Sequence, residues 1–300
     1  MASEIKITFL GTAGQIPSAQ RNTNSLLLNY KGENILIDCG EGTQRQFRKA
    51  KLNPCKVDKI LITHWHGDHI FGLPGFLSTL ALSGYNKKLI IYGPKRTEIF
   101  VKELLKVFNF ERKYEIEVKE VSGKFFETDE FFLEAKLMEH GIPCNAYCFV
   151  KKDQIRIDKE KLKKSKLLSG PLISKLKQGK NISYEGKKYF AKDLTYLEKG
   201  KKVSFVFDTR LNKRIVPFVE NSDLLICESS YEAELIEQAK EHLHLTSVQA
   251  AEIAKKSKSK KLILTHISQR YDKNLNKILD ESKAVFKNSE LAKDLDCFEI

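Results

Sequence analysis

The stretch Thr63-His64-Trp65-His66-Gly67-Asp68-His69 sets three imidazoles and one carboxylate within six residues. Both donor types bind zinc-like divalent ions. Neighbouring side chains point in different directions, so four donors this close suit two adjacent ions better than one. The spacing places His64 and His66 on one ion, and Asp68 and His69 on the other. Two ions a few ångströms apart suit the hydrolysis of phosphate esters. A lone histidine is more often a surface or satisfied core residue. A tag-like tract would not be interrupted by Gly67-Asp68, nor follow a buried strand. The conjunction of four donors favours a metal site.

The motif follows Ile60-Leu61-Ile62, an apolar run that reads as a buried strand, so the donors stand where a strand gives way to a loop. Three later residues are placed the same way. His140 follows the run from Phe131 to Leu137, Asp208 follows Val203 to Phe207, and His266 follows Leu262 to Thr265. Loops at the ends of rigid strands are where sheets present chemistry. An aspartate there can bridge two cations through its two oxygens, or merely cap a turn. Further strands are expected at Ile5–Leu10, Ser25–Tyr30, Asn34–Asp38, Lys59–Thr63, Leu89–Tyr92, Tyr147–Val150, Lys202–Phe207, Leu224–Cys227 and Leu262–Thr265. Helical spacing is expected over Glu41–Lys51, Pro74–Leu82, Thr97–Phe108 and Ser247–Lys255, the last capped by Thr246 or Ser247. The fold class is therefore α/β.

The chain of 300 residues carries 52 basic and 39 acidic residues, a net charge of +13. Such an excess points to an anionic partner, nucleic acid before a membrane surface. The segment from Lys151 to Lys202 holds 17 Lys or Arg against 6 Asp or Glu, so most of the excess lies in about a sixth of the length. Its apolar residues are sparse, and Gly170-Pro171 and Gly179 interrupt it. It reads as a basic arm inserted between core strands, with a plain solvated linker as the competing reading. No apolar run approaches membrane-spanning length. The opening Met1-Ala2-Ser3-Glu4 leads straight into a strand, without a secretory signal. The six cysteines are scattered, and Cys144 and Cys148 read as buried thiols, not ligands. Reduced thiols and no signal give the expectation of a cytoplasmic protein.

The motif HWHGDH, followed by His140, Asp208 and His266, resembles the metallo-β-lactamase superfamily. Within it the chain resembles the ribonuclease Z family of transfer-RNA 3′-processing endonucleases. The matching segments are Phe9-Leu10-Gly11-Thr12, ILIDCGEGTQ over residues 35–44, Gly72-Leu73-Pro74-Gly75, Phe207-Asp208-Thr209-Arg210, His244-Leu245-Thr246 and Leu264 to Tyr271. HxHxDH marks only the superfamily; GEGTQ, GLPG and the pairing of HxT with SxRY are much narrower.

The resemblance implies a metallo-β-lactamase αβ/βα sandwich over residues 1–300, with residues 151–202 as an inserted, flexible, tRNA-binding arm. It implies two Zn²⁺ per subunit, Mn²⁺ or Fe²⁺ also suiting the donors. One ion is held by His64, His66 and His140, the other by Asp68, His69 and His266, with Asp208 bridging. It further implies precursor tRNA as partner, no membrane, and a homodimer in which one subunit's arm serves the other's site. Gly170-Pro171 resembles the Gly-Pro motif of that arm. Pro17 to Asn22 resembles a PxKxRN loop that would bring Arg21 and Asn22 to the RNA, although Ala19 stands where a lysine is usual. Arg270 of the SxRY segment is a further expected contact. Lys163, Lys164, Lys166, Lys175 and Lys177 are expected on backbone phosphates, read by shape and charge and not by base sequence.

The expected reaction is phosphodiester hydrolysis. Asp68 both ligates and holds a proton, His244 protonates the leaving oxygen, and Glu228, at the end of the preceding strand, orients His244. His242 has no expected role. Three other readings compete: a hydrolase of small phosphodiesters on the same fold, an RNA-binding protein without catalysis, and the superfamily's larger nuclease branch, for whose extra domain 300 residues leave little room.

Overall fold

The structure, a computed structural model, describes residues 5–108, 113–165, 167 and 170–300. Lys166, expected on phosphate, lies outside the described residues. The chain divides into two compact units: Met1–Phe125 with Leu133–Phe149 and Lys202–Ile300, and Phe126–Phe132 with Val150–Lys201.

The larger unit is built on two seven-stranded sheets. The first runs in the order Cys297–Glu299, Lys6–Gly11, Ser25–Tyr30, Glu33–Ile37, Lys59–Leu61, Leu89–Gly93, Ile116–Glu120. The second runs Ser289–Leu291, Leu262–Thr265, Leu224–Glu228, Lys201–Val206, Cys144–Lys151, Phe131–Met138, Gly123–Glu127. Leu224–Glu228 is parallel to both neighbours and buried along its whole length, which is why it reads as a continuous apolar run. Phe131 to Ala135 alternates buried and half-buried residues, as a strand covered more fully on one face should. The sheets meet through Tyr30 against Phe149 (ring centroids 5.4 Å), Tyr92 against Phe125 (4.8 Å), and the Tyr147 hydroxyl, which donates to the Ile62 carbonyl at 2.7 Å.

Helices Thr43–Lys49, Leu73–Leu82 and Thr97–Val107 cover the first sheet through Phe47, Leu73, Phe76, Leu77, Leu80 and Val101. The four from Leu73 to Leu80 recur at three- and four-residue intervals, one face of a helix. Ser247–Lys256 and Asn276–Val285 pack on the second sheet. Thr246 is the cap: its hydroxyl accepts from Gln249 N, while the Gln249 side chain returns the bond to Thr246 N. The result is the expected α/β sandwich. The C-terminal edge strand Cys297–Glu299 lies outside those expectations, because three mostly exposed residues at a sheet edge carry no hydrophobic pattern.

Within both sheets the parallel strands end on chemistry-bearing residues. Asp38 follows Glu33–Ile37, Thr63 and His64 follow Lys59–Leu61, Asp208 follows Lys201–Val206, Glu228 closes its own strand, and His266 follows Leu262–Thr265. Two glycines lock this end. A Cβ on Gly72 would stand 1.9 Å from the Gly40 carbonyl oxygen, and one on Gly40 would stand 2.4 Å from that of Asp68. Backbone lies against backbone here, with Cys39 N donating to His69 O at 2.8 Å and Gly72 N to Cys39 O at 2.9 Å.

The smaller unit has more structure than its sparse apolar content suggests. Gln154–Ile157 pairs antiparallel with Thr195–Glu198, and Ile182–Tyr184 pairs with Lys187–Tyr189. Gly170 precedes helix Pro171–Lys177 with φ of 155°, a backbone that favours glycine. Leu167, Leu176, Ile182, Ala191 and Leu194 bury together as a small core, so the described part of the arm is a folded subdomain and not an extended linker. Few apolar residues suffice, because these five converge on one inward-facing cluster, while Phe190, Tyr196 and Leu197 stay exposed. Glu198 ties this unit: it accepts from Lys151 Nζ at 2.8 Å and Arg156 Nε at 2.7 Å.

Two outcomes follow from these contacts. Gly72→Ala forces two backbones apart and should lower the unfolding free energy by about 1–3 kcal/mol, read as a fall in the urea midpoint. The bonds from Lys151 and then Arg156 pull the Glu198 carboxyl down to about 2. Its contribution is therefore complete above the unfolded value of 4.5 and disappears as pH falls towards 2. Glu198→Gln should speed amide exchange over Gln154–Ile157 at neutral pH, and the difference from the parent should shrink through that window.

Candidate metal centre and active site

The loop and single helical turn after Lys59–Leu61 carry His64, His66, Asp68 and His69, and the other strand ends bring His140, Asp208 and His266 against them. The donors fall into two groups that share one residue: His64, His66, His140 and Asp208, and Asp68, His69, His266 and Asp208. In the first, His66 Nδ1 lies 3.1 Å from both His64 Nε2 and His140 Nε2. In the second, His69 Nε2 and His266 Nε2 are 3.3 Å apart, and each is 3.3 Å from Asp68 Oδ2.

Asp208 lies between the groups. Its Oδ1 is 3.4 Å from His69 Nε2 and 3.2 Å from His266 Nε2. Its Oδ2 is 3.5 Å from His64 Nε2 and 3.9 Å from His140 Nε2. Oδ1 is buried without a hydrogen bond. A buried carboxylate oxygen left this way is costly unless a cation takes the place of water.

The outer nitrogens explain why the inner ones converge. Nδ1 of His64 faces Thr63 Oγ1 (3.1 Å), that of His69 faces Asp38 Oδ2 (2.6 Å), that of His140 faces the Leu243 carbonyl (3.3 Å), and that of His266 faces Ser230 Oγ (2.9 Å). Each partner can accept, which places a proton outside and, in every ring that is neutral, leaves Nε2 as an inward lone pair. Lone pairs of several imidazoles meeting at such distances repel, and a divalent ion in each group removes the conflict. The donor set thus fits divalent metal.

Asp38 organises much of this outer layer. Its Oδ1 accepts from Thr63 N at 2.7 Å; its Oδ2 accepts from Thr63 Oγ1 at 2.8 Å, Asn24 Nδ2 at 2.9 Å and His69 Nδ1. Local sequence assigns no role to Asp38 or Ser230. The signals for Asp38 are its position as the polar residue ending the run Ile35-Leu36-Ile37 and its place in the ILIDCGEGTQ segment. Asp38, His266 and Leu243, whose carbonyl faces His140, all adopt left-handed φ of 55–58°. Such backbone is uncommon outside glycine and marks positions held by their surroundings.

The field in the pocket is strongly partitioned. Burial, aided by neighbouring imidazoles, holds His64 well below the ordinary imidazole pKa; burial likewise lowers His66 and His140. Burial also opposes charge on His69, but Asp68, Asp208 and Asp38 outweigh it and hold that ring well above its usual range. Burial would raise Asp208, but His266, His69 and His64 hold it well below the carboxylate range; Asp68 is held low chiefly by His69 against the same opposition. Both carboxylates are therefore ionised, as ligands for a cation must be.

Beside the centre, His244 Nδ1 bonds Glu228 Oε2 at 3.0 Å, and its Nε2 is 4.0 Å from Asp208 Oδ2. Glu228 is fully buried; it accepts from Thr209 N at 2.8 Å and from Ser230 Oγ at 2.7 Å as well. Burial alone would depress His244, but Glu228 and Asp208 push it up to about 9. The contact between Glu228 and His244, open from the sequence, is thus present.

The remaining expected residues separate. Arg21 is buried, and its Nη1 donates to Thr12 Oγ1 at 2.7 Å and the Ala292 carbonyl at 2.9 Å. Where the sequence suggested contact with substrate, the structure shows this guanidinium fastening its own loop through Nη1. Asn22 is similarly engaged, its side chain donating to the Glu41 carbonyl and its N–H to Asp294 Oδ2 at 2.7 Å. Arg270 is exposed over the Tyr231 ring at 5.0 Å. Lys163, Lys164, Lys175 and Lys177 are exposed in the smaller unit, and among the described residues none is paired with a carboxylate. His242 is exposed, its ring parallel to Tyr231 at 6.3 Å, and Cys144 and Cys148 are buried thiols outside the donor groups.

Comparison with known proteins places this geometry. Residues 5–132 match the family described as Anti-Pycsar protein Apyc1. Ribonuclease Z of Listeria monocytogenes is 38% identical, over 99% of this chain and 99% of its own. Ribonuclease Z of Nanoarchaeum equitans is 38% identical, over 91% of this chain and 86% of its own. Among solved structures, the short form of human tRNase Z (ELAC1) superposes with a TM-score of 0.72 at 26% identity, covering 98% of both chains. The metallo-β-lactamase fold protein YhfI from Bacillus subtilis reaches the same TM-score at 20% identity, which speaks for the fold alone. With full-length relatives at this identity and the two donor groups in place, the chain belongs to the ribonuclease Z family of the metallo-β-lactamase fold.

Proposed function

We propose that this protein is a metal-dependent endoribonuclease that removes the 3′ trailer from precursor tRNA and leaves a 3′-hydroxyl on the tRNA. The observation that carries the reading is Asp208, a buried carboxylate with one oxygen turned to each histidine group. His64, His66, His140 and Asp208 would hold one ion, and Asp68, His69, His266 and Asp208 a second, and Zn²⁺ would suit both donor sets. Bound there, such ions supply Lewis acidity and a nucleophilic hydroxide at neutral pH.

The protein's own groups handle protons and position. Asp68 takes the proton of the attacking water while a new oxygen–phosphorus bond forms. The bond from phosphorus to the 3′ oxygen breaks, and His244 delivers the Nε2 proton to that oxygen. Glu228 holds the opposite nitrogen and favours the protonated ring until transfer. Exposed Lys163, Lys164, Lys175 and Lys177 meet backbone phosphates, and Arg270 adds a cation at the mouth of the site. The working state is a cytoplasmic homodimer in which one subunit's basic arm serves its partner's site.

Incubation with a precursor tRNA should yield one cut at the trailer junction, mapped by sequencing both fragments. Chelation should abolish cleavage, and Asp68→Ala should reduce turnover by at least ~100-fold. Unchanged cleavage by Asp68→Ala would exclude the mechanism. Replacing Lys163, Lys164, Lys175 and Lys177 by Gln should raise KM for precursor tRNA about tenfold. The slope of log affinity against log salt should flatten by roughly 0.7–0.9 for each phosphate that is no longer neutralised. Turnover of a small phosphodiester should hold; equal loss on both substrates would refute the arm's role.

A further inference from the structure

We propose that Gln15 is a positioning residue for His244, holding the imidazole from the side opposite Glu228. The inference rests on the reading of His244 as proton donor and adds a residue to it. Gln15 follows the short strand Ala13–Gly14, which pairs in parallel with Ile267–Ser268 beside His266. Its backbone N–H donates to Asp68 Oδ2 at 2.9 Å, and its side-chain amide nitrogen lies 3.5 Å from His244 Nε2. One residue thus touches both the carboxylate that receives a proton and the imidazole that gives one.

The backbone does not explain a glutamine at this position. Gln15 has φ of 57°, within a tight turn closed by Ile16 N donating to Gly14 O at 2.7 Å. Glycine or asparagine would adopt that conformation at less cost. The residue is exposed, so burial does not explain its side chain either. What glutamine adds is an amide at the free nitrogen of His244.

The chemistry of an amide suits that place. With Nδ1 bonded to Glu228 at 3.0 Å, the imidazole can still pivot about that one contact. A second contact at Nε2 fixes the ring plane. The amide carries both a donor and an acceptor, and a half-turn of its terminal torsion exchanges them. Its oxygen accepts from a protonated Nε2 before substrate arrives, the leaving oxygen takes that place during the step, and its NH₂ donates to the neutral nitrogen once the product has left. The ring is therefore held before and after the step. As the phosphorus–oxygen bond breaks, the Nε2 proton passes to the 3′ oxygen, and Gln15 itself neither gains nor loses a proton.

Gln15→Gly removes the side chain, keeps the N–H to Asp68 and suits the left-handed backbone. Gln15→Met keeps the bulk without the amide. Both are assayed on precursor tRNA, whose alkyl leaving oxygen needs a proton, and on bis(p-nitrophenyl) phosphate, whose aryl oxide leaves without one. On the RNA both variants should lower kcat by roughly 3–10-fold, part of the effect of a general acid, with KM and bound metal unchanged. The RNA-to-aryl ratio of kcat should fall by a similar factor. Equal slowing of both substrates, no change on either, or a parental rate from Gln15→Met would overturn the inference. His244→Ala, run in parallel, separates the two claims. If it slows both substrates equally, the proton-donor assignment fails. If it is selective and the Gln15 variants are not, only the role of Gln15 fails.

Discussion

A buried carboxylate surrounded by imidazole nitrogens is the constraint around which this molecule is organised. Asp208 is nearly inaccessible to solvent, yet its Oδ1 makes no hydrogen bond and faces ring nitrogens at 3.2 and 3.4 Å. Isolated in a core, such a group would cost several kcal/mol. A divalent cation held among these donors would offset that cost. The fold therefore keeps an assembly whose polar atoms converge on a space that fits divalent metal.

The outer layer makes that aim possible. Each of His64, His69, His140 and His266 is tethered through Nδ1, and the tethers are themselves anchored: Thr63 to Asp38, Ser230 to Glu228. Asp38 and Glu228 are fully buried and each accepts several hydrogen bonds, which ties both to the outer layer. Two carboxylates of the same charge thus take a different part from Asp68 and Asp208. Position in the network, and not residue type, separates the anchors from the ligands. The close approach of Gly40 and Gly72 serves the same end, since it leaves the turn carrying Asp68 and His69 no room to shift.

The charge distribution divides the labour along the chain. The centre concentrates acid and imidazole in a small buried space, whereas the lysine-rich segment keeps its cations exposed around a small core of its own. Exposed cations of this kind act on anions at long range, whereas most of the donor groups of the centre are withdrawn from solvent.

Much of the centre was legible in the amino-acid sequence. HWHGDH announces its donors because ligands on one turn must be close in sequence, and His140, Asp208 and His266 are visible as polar residues ending apolar strands. Strand and helix periods point to the sandwich for the same reason: one face of each element must be apolar. Spacing and the family resemblance already paired the donors, and the tertiary structure brought His140, Asp208 and His266 against them, because that depends on strand order in two sheets. It also decided that Arg21 is an internal fastener, that Asp38 and Ser230 anchor ligands, and that Gln15 reaches His244. Such roles depend on distances between residues far apart in the chain, 229 positions for Gln15 and His244. Local pattern holds no record of that separation, since it is created only when the two sheets close on each other.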